Sequence, residues 1–306
     1  MLAVRDTVPL APLTTFGIGG AAKHLVEVRN EKELREALAW ARAQKSKFWI
    51  LAGGSNVLFP DGGLPGLVTR LVGDDFSNEG RKLTTWAGTN LFALVKAMGE
   101  RGLGGWEKLA GIPGTVGGAV RGNAGAFGPE IKDFVTKVQA LSVKTGEVRE
   151  FTNTECGFSY RRSCFKENPE WVITRVSLAL SPIQRDISNQ LVVETIAERE
   201  RRHLQNVRAA GSYFMNPTAP QEIITLFESE KGVKSREGRV PAGWLIEKVG
   251  LKGHRVGDAI ASEQHPNYIV NLGNATAHDV VNLAQVVKLE VYNQFGVELH
   301  EEAAVL

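Results

Sequence analysis

Apolar residues recur along this chain with two periods, and the change from one to the other marks out its elements. Residues 24–28 read as a short strand. Across 31–45 the apolar positions Leu34, Ala37, Leu38 and Ala41 fall on one helical face. Residues 48–52 read as a buried strand ending in Gly53-Gly54, which completes a βαβ layout. Further strands are expected at 66–72 and 82–87. Asn90 is placed to cap a helix whose apolar positions are Leu91, Leu94, Val95 and Met98. Residues 134–143 and 171–180 read as strands around a turn-rich region, and Lys144-Thr145-Gly146 is a hairpin signal.

After Ser181-Pro182 the pattern changes. Residues 186–202 form a helix that Asp186 is expected to cap, with Ile187, Leu191 and Ile196 along one side and Arg199, Arg201 and Arg202 at its end. Residues 207–220 carry no period. A short helix is expected at 241–249, with Pro241 favourable at its start. A short strand follows at 268–270. Thr276 and Asp279 have capping-box spacing for a long helix through Asn293, whose stripe of Val280, Leu283, Ala284, Val287 and Val291 reads as core. The tail, 297–306, alternates weakly, as a returning strand would.

Composition narrows the classes of function. A chain of 306 residues has room for two or three domains. A net charge of +2 makes no electrostatic case for nucleic acid. No metal site is expected: the six histidines are scattered, and none pairs with a cysteine or acid at zinc-ligand spacing. The two cysteines, Cys156 and Cys164, read as reduced thiols rather than a disulfide framework. The first residues lack a signal pattern and no apolar run approaches a membrane span, so a cytoplasmic protein is expected. The sequence does not set the oligomeric state, for which a monomer is the default expectation.

The candidate chemistry lies in glycine loops and a few polar residues. Gly53-Gly54-Ser55-Asn56 follows a strand, where successive N–H groups can hold a diphosphate. By itself such a turn is as readily a plain tight turn, and the dinucleotide fingerprint spacing is absent. The second loop is more specific. Gly111, Gly114, Gly117, Gly118, Gly122 and Gly125 fall within fifteen residues, together with Thr115 and Asn123. So many positions without side chains suit the close approach of a large flat or phosphorylated ligand. Tyr160-Arg161 offers a guanidinium, Gly211-Ser212 a hydroxyl, and Glu301-Glu302 an acidic pair. Taken singly, these three also fit a solvated arginine, a turn serine and a solvated tail.

Taken together and in order, the motifs are similar to those of the UDP-N-acetylenolpyruvoylglucosamine reductase family. The resemblance starts at Thr14-Thr15-Phe16-Gly17-Ile18-Gly19-Gly20 and runs through both glycine loops, Tyr160-Arg161 and Gly211-Ser212. It continues through Ala242-Gly243-Trp244-Leu245-Ile246 to the segment 299–303. It implies an α+β fold of three domains: an FAD-binding fold of the vanillyl-alcohol-oxidase type and a C-terminal substrate-binding α/β domain. The implied divisions are 1–70, rejoined by the tail 296–306; 71–202, which shares FAD with the first; and 203–295, which closes over substrate.

The same resemblance implies the chemistry. NADPH gives hydride to FAD, and reduced flavin gives it to UDP-N-acetylglucosamine enolpyruvate, forming UDP-N-acetylmuramate for the cell wall. Ser212 would be the proton donor, and Arg161 and Glu302 would stabilise the intermediate. Gly53, Gly54, Ser55, Asn56, Gly114, Thr115, Gly117, Gly118 and Asn123 would hold the cofactor. Tyr160, Arg202, Asn216 and Gln264 would contact substrate. The stretch 181–208 has no tyrosine-bearing loop, so the chain resembles the shorter, type II branch. Arg202 stands where a lysine is usual, and Met215 where a basic residue is common. Two other readings compete: a related FAD-dependent oxidase of alcohols or sugars, and a non-catalytic nucleotide-sugar binding protein.

Overall fold

The computed structural model describes residues 2–202 and 207–306. The chain groups into two compact units. One comprises the N-terminal residues through Val8 together with Ala22–Gly54 and Pro65–Arg202; the other comprises Pro9–Ala21, Ser55–Leu64 and the C-terminal part of the chain.

The first unit holds a four-stranded sheet, a five-stranded sheet and a short antiparallel pairing of Leu103–Gly104 with Ser181–Pro182. In the four-stranded sheet the order is Arg5–Pro9, Ala21–Val28, Leu64–Leu71, Phe48–Leu51. The βαβ layout is therefore present with a strand inserted between its two strands. Phe48–Leu51 runs parallel to Leu64–Leu71, with Leu51 opposite Arg70, and delivers the chain directly into Gly53-Gly54. The intervening helix, Glu31–Ala43, starts where the Asn30 side chain accepts from the Glu33 N–H at 2.9 Å. It buries the four expected residues, Leu34, Ala37, Leu38 and Ala41.

The second sheet is antiparallel, in the order Val148–Thr152, Val135–Ser142, Trp171–Ala179, Lys82–Trp86, Phe76–Glu79. The expected hairpin closes through the Ser142 N–H donating to the Glu147 carbonyl at 2.8 Å, with Gly146 at φ +79°. Helix Leu91–Gly99 begins at Asn90, whose side chain accepts from the Ala93 N–H.

Helix Arg185–Arg202 departs from expectation in two respects. It starts one residue early, so Asp186 lies inside the first turn, where its charge suits the helix N-terminus, and does not cap it. Its buried face is Ser188, Val192 and Thr195, whereas Ile187 is 46% exposed. A polar anchor sets this rotation: the Ser188 hydroxyl donates to buried Glu107 at 2.8 Å.

The second unit is built on an apolar cluster that includes Phe16, Leu58, Tyr213, Phe214, Trp244, Leu283 and Val287. This cluster explains why two early segments join the C-terminal residues: Phe16 and Leu58 are core residues there. Helix Ala277–Phe295 has the expected capping box between Thr276 and Asp279 and ends at Gly296, φ +62°. All five residues of its expected stripe are buried. Two shorter helices, Gln221–Lys231 and Ala242–Lys248, pack with it, alongside a small sheet of Arg255–Val256, Ala259–Ala261 and Ile269–Asn271. In the tail only Ala304–Val305 is strand, parallel to Val57–Leu58. Among the described residues, no helix is long and apolar enough to cross a membrane.

Candidate functional site

In the first unit the two glycine loops touch. A β-carbon at Gly53 would lie 2.5 Å from the Cα of Gly114, so the backbones pack with no room for a side chain. Gly54 and Gly114 have φ +66° and +119°, conformations natural to glycine. Thr115 caps the short helix Val116–Arg121 by accepting from the Gly118 N–H at 3.3 Å. Gly117 is a packing glycine, since its β-carbon would meet that of Ala87 at 2.7 Å. Gly118 is exposed, and its β-carbon would meet only ordinary contacts, the nearest being Ala52 Cβ and Thr115 Oγ1, each at 3.6 Å. Among the described residues, the N–H groups of Gly53, Gly54, Gly114 and Thr115 donate to no protein acceptor. Unengaged main-chain donors on two touching loops are the kind of group that can hold a diphosphate. These residues fit FAD.

Beyond these loops the chain presents Arg161. Ser159 and Arg162 close a tight turn by exchanging N–H···O=C bonds of 3.2 and 3.1 Å, which leaves Tyr160 and Arg161 at its tip. Arg161 adopts φ +57°, an uncommon conformation for a side-chain-bearing residue. Its Nη2 donates to the Gly125 carbonyl at 3.2 Å, and its guanidinium lies 5.3 Å from the centre of the Tyr160 ring. Arg162 is exposed and pairs with Glu167 at 2.6 Å, as a solvated arginine does.

Asn123 has a different place from the one expected for a cofactor residue. It is fully buried, at φ +43°. Its Nδ2 donates to Glu130 Oε2 and to the Ser159 carbonyl, both at 2.9 Å, and its Oδ1 accepts from the Lys132 N–H at 3.3 Å. The amide is thus used in bracing the Arg161 turn. The nearby thiols are free, and burial pushes that of Cys156 up to about 12.

In the second unit Ser212 and Glu302 lie on adjacent segments joined by main-chain hydrogen bonds. The Glu302 N–H donates to the Tyr213 carbonyl at 2.8 Å and the Met215 N–H to the His300 carbonyl at 2.9 Å, with Phe214 opposite Glu301. Ser212 is half-buried, and Gly211 before it turns the chain at φ +75°. Asn56, from the first glycine loop, flanks the same segment. Its Nδ2 donates to the Glu302 carbonyl at 3.2 Å, and its own carbonyl accepts from the Ala304 N–H at 3.1 Å. Ser55 lies next to it, its carbonyl accepting from Thr15 Oγ1 at 3.4 Å. A cavity of about 350 Å³ is lined by Tyr213, Glu301 and residues of helix Ala277–Phe295. Burial, with Glu301 nearby, pushes the Tyr213 hydroxyl above its usual range.

The expected substrate contacts stand on separate segments of the chain. The Oδ1 of Asn216 accepts from the Ala242 N–H at 3.1 Å, tying the segment after Ser212 to the start of helix Ala242–Lys248. Gln264 is exposed, in a turn where its N–H donates to Ser262 Oγ at 3.1 Å. Arg202 ends the helix Arg185–Arg202, and its side chain lies outside the described residues. Among the described residues there is no cluster of three His, Cys, Asp or Glu side chains able to hold a metal. Asn267, absent from the expected set, grips the segment beside Ser212. No sequence signal marks it, because its bonds span 53 residues.

Comparison with known proteins identifies the family. An FAD binding domain model matches residues 22–152. A model of the UDP-N-acetylenolpyruvoylglucosamine reductase C-terminal domain matches residues 202–306. The UDP-N-acetylenolpyruvoylglucosamine reductase of Synechococcus sp. (strain JA-3-3Ab) is 38% identical, over 99% of this chain and 91% of that protein. That of Solibacter usitatus (strain Ellin6076) is 36% identical, over 98% and 96%. The crystal structure of the corresponding reductase (MurB) from Thermus caldophilus aligns with TM-score 0.77 and 34% identity, covering 100% of this chain and 99% of that one. The chain belongs to the UDP-N-acetylenolpyruvoylglucosamine reductase family, FAD-containing oxidoreductases of peptidoglycan precursor synthesis.

Proposed function

We propose that this enzyme uses NADPH to reduce the enolpyruvyl group of UDP-N-acetylglucosamine enolpyruvate, with Ser212 as proton donor and Arg161 and Glu302 stabilising the charge that develops. The observation that carries the reading is the pairing of the Ser212 and Glu302 segments, with a main-chain bond of 2.8 Å from Glu302 to the residue after Ser212. It holds a hydroxyl and a carboxyl on neighbouring strands of chain, as proton delivery beside a developing enol requires.

Bound FAD would supply the hydride chemistry, from NADPH to the vinyl methylene carbon of the substrate. The protein's residues do the rest. Gly53, Gly54, Gly114 and Thr115 offer main-chain donors to the cofactor, and Gly118 leaves space beside them. Ser212 delivers a proton to the carbon next to the one that receives hydride, so the double bond takes up two hydrogens and becomes a lactyl ether. Arg161 engages the substrate carboxylate through its planar fork. Glu302 hydrogen-bonds the enolic oxygen. Tyr160 supports Arg161, and Arg202, Asn216 and Gln264 are assigned to the nucleotide-sugar portion.

The test is the product. Purified enzyme with NADPH and UDP-N-acetylglucosamine enolpyruvate should yield UDP-N-acetylmuramate, identified by mass spectrometry as a gain of two hydrogens. NADPH oxidation that proceeds with the nucleotide sugar unchanged would reject the reading.

A further inference from the structure

Asn267 lies 3% exposed in the second unit and makes an unusual set of bonds. Its Oδ1 accepts from the Phe214 N–H at 2.9 Å, and its Nδ2 donates to the Phe214 carbonyl at 2.9 Å. Its own carbonyl accepts from the Tyr213 N–H at 2.7 Å. The side-chain amide thus takes the place of a peptide group in an antiparallel hydrogen-bonded pair. On its other edge the same segment is bonded to His300 and Glu302. Tyr213 and Phe214 therefore have both N–H groups and both carbonyls engaged or opposed, while Ser212 immediately precedes them.

This arrangement is asymmetric. Glu302 has an anchor of its own, through Asn56 Nδ2 at 3.2 Å and the Ala304-to-Asn56 bond. Ser212 has none: among the described residues its hydroxyl bonds to no protein group, and the residue before it is Gly211 at φ +75°. Its location is inherited from the Tyr213-Phe214 backbone. Loosening Asn267 therefore displaces Ser212 more than Glu302.

We infer that Asn267 is a positioning residue for the proton-transfer step, holding Ser212 in register through a side-chain copy of a β-rung. The inference rests on Ser212 being the proton donor. Proton transfer is sensitive to placement within hydrogen-bond reach, whereas reduction of the flavin by NADPH involves no Ser212 proton. Asn267→Asp keeps the acceptor for the Phe214 N–H, loses the donor, and sets an oxygen against the Phe214 carbonyl. Asn267→Ala removes both bonds without adding charge.

The two half-reactions are measured by rapid mixing in both variants, as holoenzymes. FAD content and the rate of reduction by NADPH should stay within about twofold of wild type, while reoxidation by UDP-N-acetylglucosamine enolpyruvate falls by roughly 10–100-fold, part of the loss expected for removing a positioned acid. The solvent deuterium isotope effect on reoxidation should rise, since proton transfer becomes slower. In a Ser212→Ala background, Asn267→Ala should add less than about twofold, because residues acting through one group are not additive. Hydrogen exchange should quicken in the peptide 209–216 and remain unchanged in 111–118. Equal slowing of both half-reactions, a full additional loss in the Ser212→Ala background, or unchanged exchange at 209–216 would overturn the inference. If Ser212→Ala alone leaves reoxidation at the wild-type rate, the assignment of Ser212 itself has failed, and the inference falls with it.

Discussion

The contact between the glycine loops makes a sharp distinction between two glycines that sequence alone treats alike. Gly53→Ala would place a methyl carbon 2.5 Å from the Cα of Gly114, where ordinary contact begins at 3.4 Å. The obstacle is backbone on both sides, so no side chain can rotate away, and one loop must move by about 0.9 Å (3.4 minus 2.5). Overpacking of that kind costs about 1–3 kcal/mol. For a unit of roughly 150–250 residues this lowers the melting temperature by about 2–4 °C per kcal/mol, or roughly 2–12 °C in all. Gly118→Ala meets nothing closer than 3.6 Å within the protein and lies in a helix, where alanine is favoured over glycine by up to about 1 kcal/mol. Flavin-free Gly118→Ala protein should therefore melt at or above the wild-type temperature. With cofactor the two variants converge: a methyl at Gly118 occupies space assigned to FAD, so both should bind it at least about tenfold more weakly, a loss of roughly 1.4 kcal/mol. Differential scanning fluorimetry of the flavin-free proteins and FAD titration by absorbance read the two effects separately. Wild-type FAD affinity in Gly118→Ala would refute the placement of the cofactor beside this helix. An unchanged melting temperature in Gly53→Ala would refute the packing of the loops.

Other outcomes follow from the same geometry. Arg161→Lys keeps the charge but loses the planar fork, so turnover should fall by about 10–100-fold, the range for a lost charge-assisted bond, with FAD retained; steady-state kinetics would show it. Glu302→Gln should also lower turnover with the flavin spectrum unchanged, and normal rates in both variants would remove them from the site. Ser212→Ala should slow reoxidation by the enolpyruvyl substrate by roughly 10²–10⁴-fold and leave reduction by NADPH near normal. Burial holds the imidazole of His265 below its usual value of 6.5, so it stays neutral in the fold while the unfolded chain takes up a proton. Its contribution to stability is present above 6.5 and is lost as pH falls from there toward the lower folded value. His265→Gln should flatten the acid side of a melting-temperature profile.

Sequence reading succeeded where the cause of structure is local. The capping box at Thr276 and Asp279 and the stripe from Val280 to Val291 lie within one helix, and both are present. The same holds for Asn90 and for the face of Leu34, Ala37, Leu38 and Ala41. It failed where a distant polar group decides. Ser188 turns its helix toward Glu107 and leaves Ile187 in solvent, which no apolar period reveals. The helix Gln221–Lys231 starts after Pro220, with no side-chain cap to announce it. The glycine loops were legible as loops, but the division of labour within them was not: Gly53 and Gly117 are packing positions, whereas Gly118 is open. Asn123 and Asn267 do their work through side-chain bonds to the Ser159 and Phe214 backbones far along the chain.

The most direct measurement of the central claim is an anaerobic absorption experiment on the purified protein. The account predicts a flavin spectrum that NADPH bleaches and UDP-N-acetylglucosamine enolpyruvate restores, with UDP-N-acetylmuramate formed in equal amount. A colourless protein that cannot be reconstituted with FAD, or a reduced flavin that the enolpyruvyl substrate leaves reduced, would contradict it.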